Sequence, residues 1–64
     1  MTVDQINATL AAANVPMFVQ QGPRAIKWIK VYDFDRIDSR SGYRISKSEA
    51  RNILFGYRLE HLAA

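Results

Sequence analysis

The spacing of hydrophobic residues changes twice along this chain of 64 residues. From Thr2 to Asn14 the apolar positions recur at helical intervals, with Val3, Ile6, Leu10 and Ala13 on one stripe. Thr2 stands where an N-cap belongs, and Gln5 follows at the capping-box distance. Asp4 falls in the first turn, where the helix dipole favours an acid. Asn14 is a suitable stop, and Pro16 prevents much continuation. This stretch predicts one amphipathic helix.

After Pro16 the period shortens. Met17 to Gln21 is short and β-prone, Gly22-Pro23 reads as a turn, and Ala25 to Phe34 is rich in β-branched and aromatic residues. Alternation along this second strand gives two unlike faces. Ile26, Trp28, Lys30, Tyr32 and Phe34 share one, while Ala25, Lys27, Ile29, Val31 and Asp33 share the other. Both faces are partly apolar, which predicts the central strand of a sheet. The polar run DRIDSRSG predicts a loop, and YRIS a third short strand.

The helical period returns in SKSEARNILFGYRLEHL, capped by Ser46 or Ser48. On a helical wheel, Ala50, Ile53, Leu54 and Tyr57 form one face, extended by His61. Phe55, Leu59 and Leu62 form a second apolar patch, and Lys47, Arg51 and Arg58 line a stripe between the two. Gly56 costs a mid-helix position about 0.8–1 kcal/mol relative to Ala. With the β-prone run around it, that leaves a strand as the alternative for residues 52–59. The expected fold is α+β, in the order αβββα, with both helices packed on a three-stranded antiparallel sheet in a single domain.

A chain this short buries only about 60% of the surface its unfolded form exposes, so marginal stability is expected unless packing is very good or the chain forms a homodimer. There is no cysteine and one histidine, His61, so neither a disulfide, a thiolate site nor a multi-histidine metal site can be built. Asp33, Asp35 and Asp38 lack the glycine and terminal Glu of a calcium loop, and Arg36 and Arg40 interleave with them. No nucleophile has a companion base, and no glycine loop could cradle a phosphate. The expectation is a non-enzymatic protein with no cofactor and no metal. No stretch approaches the roughly 20 apolar residues that span a bilayer, and the N-terminus lacks a basic leader, so a cytoplasmic protein is expected.

Charge is one-sided. The net charge is +3, yet residues 1–23 carry only Asp4, and all nine Lys and Arg residues lie at or after Arg24. That distribution points towards a polyanion. Lys47 and Arg51 are four residues apart, so they leave one helix in the same direction, near its N-terminal N–H groups. Aromatics alternating with Lys30 would suit base stacking, but a core this small needs Trp28, Tyr32 and Phe34 inside.

Ser46, Lys47, Ala50, Arg51, Leu59 and Leu62 fit without a gap the pattern by which the third strand enters the last helix of the double-stranded RNA-binding domain. Gly22-Pro23 stands where that family often has its first hairpin turn. The chain resembles that family in order of elements throughout, and in detail over about 17 residues. It departs from it where Arg24-Ala25 replaces a groove-entering histidine, where Ser48 replaces a second lysine, and where Ile53, Leu54 and Phe55 replace small alanines. The resemblance implies binding to the backbone of duplex nucleic acid, RNA ahead of DNA. The expected contacts are Lys47 and Arg51 on phosphates and Arg24 from the loop, with Arg44 and Arg58 secondary.

Two other likenesses compete. KWIKVYDFD, GYRIS and KSEA together resemble the three-stranded arm-type DNA-binding domain of phage-like integrases, in which the sheet face enters the groove. MTVDQINATLAAANV is similar to the start of many small phage-encoded proteins, some of which inhibit host defence by binding a protein surface, sometimes as dimers. On that alternative the interface, with a host protein or a second copy, would be Phe55, Leu59 and Leu62.

Overall fold

The computed structural model of the protein describes residues 1–31 and 42–64. Tyr32, Phe34 and the acids Asp33, Asp35 and Asp38, with Arg36 and Arg40, lie outside the described residues. The fold is α+β in the order αβββα. Helix α1 is Val3–Ala12, strands β1, β2 and β3 are Met17–Gln21, Ile26–Val31 and Gly42–Ile45, and helix α2 is Lys47–Phe55. A 3-10 turn follows at Glu60–Ala63. The sheet is antiparallel in the order β1-β2-β3, with β2 central as its two-sided apolar pattern predicts. No helix among the described residues is long and apolar enough to cross a membrane.

Register follows from the alternation. Val19 pairs with Trp28, and Trp28 with Ile45, so these three side chains stand in one row across the sheet. Both helices cover this face. Ile6 and Leu10 of α1 join Ala50 and Leu54 of α2 in one buried cluster with Met17, Val19, Trp28 and Ile45. The opposite face carries a second row, Phe18, Ile29 and Arg44.

Helix α1 begins with the expected reciprocal cap. The Gln5 N–H donates to Thr2 Oγ1 at 3.1 Å, and the Thr2 N–H donates to Gln5 Oε1 at 2.8 Å. It ends in a Schellman motif. Asn14 takes φ 57°, its N–H donates to the Ala11 carbonyl, and the Val15 N–H reaches back to Leu10. Leu10 and Val15, paired by that turn, are both fully buried.

Asn7 performs a task that no spacing rule suggests. Its Nδ2 donates to the Val19 carbonyl at 3.0 Å, and its Oδ1 accepts from the Val19 N–H at 2.8 Å. In an antiparallel ladder alternate residues turn their N–H and C=O away from the neighbour. Val19 lies on the edge strand β1, so its outward groups would lack a strand partner. Asn7 satisfies both and blocks that edge against pairing with another chain. The signal in the sequence is a polar residue four positions after Val3, on the face that should be apolar.

The C-terminal segment differs from the expectation of one helix to Leu62. It is helical rather than extended at its start, with Ser46 Oγ accepting from the Glu49 N–H at 3.1 Å. The helix stops at Phe55, and a second Schellman turn follows. Arg58 takes φ 60°, its N–H donates to Phe55, and the Leu59 N–H donates to Leu54. Gly56 has φ −63°, so the left-handed position falls on an arginine two residues later.

This break dismantles the second apolar patch of the helical wheel. Leu62 is buried in the core, Leu59 is half-buried against it, and only Phe55 remains exposed, at 70%. The physical reason is the size of the core. A continuous helix would carry Leu59 and Leu62 round to solvent, whereas the turn at Arg58 brings them onto the sheet. Arg51 secures the arrangement, donating from Nε and Nη2 to the Ala63 carbonyl at 3.2 and 3.1 Å.

Three outcomes are expected in urea denaturation. Asn7→Ala should lose about 1–3 kcal/mol, because it leaves two half-buried backbone groups of Val19 unsatisfied. A loss under about 0.5 kcal/mol, the range of an ordinary surface change, would show that water replaces the amide without penalty. Leu62→Ala should cost about 2–5 kcal/mol, as a core truncation does, while Phe55→Ala stays near neutral. The opposite ranking, with a midpoint that depends on protein concentration, would restore the patch as a dimer contact. Arg58→Gly should raise stability by about 0.5–1 kcal/mol by relieving the left-handed backbone at a residue with a Cβ. Destabilisation instead would mean that the Arg58 side chain holds more than the turn does.

Candidate functional site

Antiparallel topology brings three separated parts of the chain to one end of the sheet. The β1–β2 loop closes with the Gly22 N–H donating to the Ala25 carbonyl at 3.1 Å. Gly22 is required there for space: a Cβ would lie 2.4 Å from that carbonyl oxygen. Pro23 and Arg24 form the exposed tip. Because Ile45 pairs with Trp28, near the start of β2, the exit of β3 and the first turn of α2 arrive beside this same loop.

A cavity of about 560 Å³ opens where they meet. Its apolar walls are Ile26, Trp28, Ile45 and Leu62. Its polar lining comes from Arg44, Ser46 and Lys47, and Ala25 borders it from the hairpin loop. Trp28 is only 3% exposed, so the cavity meets no more than an edge of a residue that belongs to the core. The volume lies within the range of about 300–1,000 Å³ usual for ligand pockets.

The expected site residues divide under this geometry. Arg44 and Lys47 are exposed and line one cavity, and Arg24 is exposed in the loop next to Ala25, which lines it too. These three belong to one end of the molecule. Arg58 does not, since it follows the far end of the nine-residue helix α2, about 1.5 Å of rise per residue from Lys47. Arg51 shares a helix face with Lys47, but two of its N–H groups are committed to the Ala63 carbonyl. The expectation of Arg51 as a free phosphate contact did not foresee this structural bond. The acceptor is a backbone carbonyl twelve residues ahead, which side-chain spacing on a wheel cannot reveal.

Lys27 is a cation that the sequence reading did not select. It is half-buried on the outer face, and its aliphatic stem passes within 3.3 Å of the place where a Gly22 Cβ would stand. Its charge therefore lies close to the hairpin loop. The local signal is the pairing of Gln20 with Lys27 that any tight hairpin over residues 22–25 imposes.

The first turn of α2 adds to the positive potential. Ser46 Oγ takes only the Glu49 N–H, and the Ala50 N–H returns to the Ser46 carbonyl. The N–H groups of Lys47 and Ser48 precede the first intrahelical bond and face outwards with the helix dipole. Glu49 is the one acid in that turn. Among the described residues no group of three or more His, Cys, Asp or Glu side chains is placed to hold a metal ion. In comparisons with known proteins, no protein-family model, no curated protein and no solved structure matches this chain.

Proposed function

We propose that this domain binds the phosphate backbone of a duplex nucleic acid, without catalysing a reaction, through the basic end formed by Arg24, Arg44 and Lys47. The observation that supports this is the convergence of the hairpin loop, the end of β3 and the start of α2 around one cavity. Cations from three elements, beside outward N–H groups of a helix, suit a chain of phosphates better than a single anion. RNA stands ahead of DNA because the Gly22-Pro23 turn and the Ser46 to Leu62 segment resemble the double-stranded RNA-binding domain. The protein-binding alternative keeps only Phe55 of its three expected contacts at the surface, with Leu59 half-buried and Leu62 in the core.

Salt dependence separates the roles of two cations on one helix. Lys47→Ala should weaken binding to duplexes of all sequences alike, and flatten the slope of log K against log salt by about 0.7–1 unit. Its stability should stay within about 0.5 kcal/mol of the parent. Arg51→Ala should show the converse, losing about 1–3 kcal/mol of stability with the Ala63 carbonyl unpaired, while the slope is unchanged where the protein is folded. Gel-shift titration of duplex RNA and duplex DNA at several salt concentrations, beside urea melts, measures both. Failure of the parent protein to shift any duplex at low salt would exclude the reading.

A further inference from the structure

The cavity at the basic end has a more apolar lining than backbone contact requires. Phosphates need cations at the surface, and have no use for walls of Ile26, Trp28, Ile45 and Leu62. Resting on the nucleic-acid reading, we infer that the cavity takes one unpaired base, so that the domain prefers a duplex with an unpaired terminal nucleotide to a blunt one.

Three features of the cavity suit that occupant. Its walls are aliphatic and aromatic, and Trp28, though only 3% exposed, lines it with an edge that a base could touch. Its border is supplied by the hairpin loop, with Arg24 next to Ala25, and by Arg44 and Lys47 at the β3–α2 junction. A terminal nucleotide carries the phosphate that joins it to the duplex, and the next phosphate lies one nucleotide further in, which suits cations contributed from two separate parts of the border. The hydroxyl of Ser46 also lines the cavity. Its oxygen accepts from the Glu49 N–H, which leaves its O–H proton to donate to a base carbonyl or ring nitrogen. An acidic peptide would satisfy the charge, but places its carboxylates on side chains rather than on the backbone that carries a flat ring.

Trp28 is the only tryptophan and reports occupancy directly. The experiment uses the full chain at low salt with three duplexes of the same paired sequence: blunt, with one unpaired terminal nucleotide, and with an abasic residue there. Affinity is read by anisotropy and occupancy by Trp28 emission. The base-bearing end should bind about tenfold tighter than the abasic one, within the range that stacking of one base gives. It alone should quench or shift the Trp28 emission. In Ala25→Phe, an exposed loop position changed to block the mouth and leave Trp28 the sole tryptophan, the base-to-abasic affinity ratio should fall to about one.

Equal affinity for the base-bearing and abasic ends, with duplex binding intact, would overturn the inference and leave the backbone reading standing. Absence of binding to all three duplexes would overturn both. A change in Trp28 emission on adding an acidic peptide containing one phenylalanine, with none from the base-bearing duplex, would overturn the inference in favour of a protein ligand.

Discussion

Val19, Trp28 and Ile45 stand in one row across three strands, and the rest of the domain is arranged to cover that row. A three-stranded sheet with one wide aromatic at its centre has too much apolar surface for one short helix. Leu10 comes from one end of the chain, and Leu54 and Leu62 from the other. Two nine- or ten-residue helices suffice only because the chain beyond α2 turns back. The constraint is therefore one of supply: in a small core every large side chain must reach the sheet, and backbone geometry yields to that need. Arg58 in a left-handed conformation is where it yields.

How much of this was legible depends on the range of the interaction. Caps made within four residues were largely readable: Thr2 with Gln5, the stop at Asn14, and a serine at the head of α2, where the sequence left Ser46 and Ser48 open and the Glu49 N–H selects Ser46. The strand faces were readable too, since a strict alternation of two leaves no choice once Trp28 is placed inwards. The end of α2 was not. Gly56 marks the right region, but the left-handed residue is Arg58, and nothing local to an arginine announces that conformation. The wheel drawn to Leu62 assumed a helix that tertiary packing had reason to break, so its second apolar patch was a product of that assumption.

The site was legible in its cations and illegible in its cavity. Arg24 at a hairpin tip and Lys47 at a helix start follow from turn and cap chemistry alone. That they meet at one end follows only from the sheet order, and one wall of the cavity is Leu62, which arrives from a turn that the sequence did not disclose. Asn7 was missed for a related reason. Its partners are the backbone groups of Val19, twelve residues away, which become available only because β1 is an edge.

The two cations that share a face of α2 illustrate how a small domain divides its charges. Arg51 Nε and Nη2 hold the Ala63 carbonyl, and Ala63 neighbours Leu62, a wall of the cavity. A phosphate that drew Arg51 away would release that carbonyl and loosen the wall, so its binding would be opposed by the packing it disturbs. Lys47 carries no such obligation: it opens the helix, is exposed, and lies on the cavity border. An anion at Lys47 leaves the core untouched. The planar fork of arginine suits a fixed carbonyl, and the mobile ammonium of lysine suits a phosphate met from several angles. The pair that looked equivalent by spacing thus splits into one residue that shapes the cavity and one that charges its mouth.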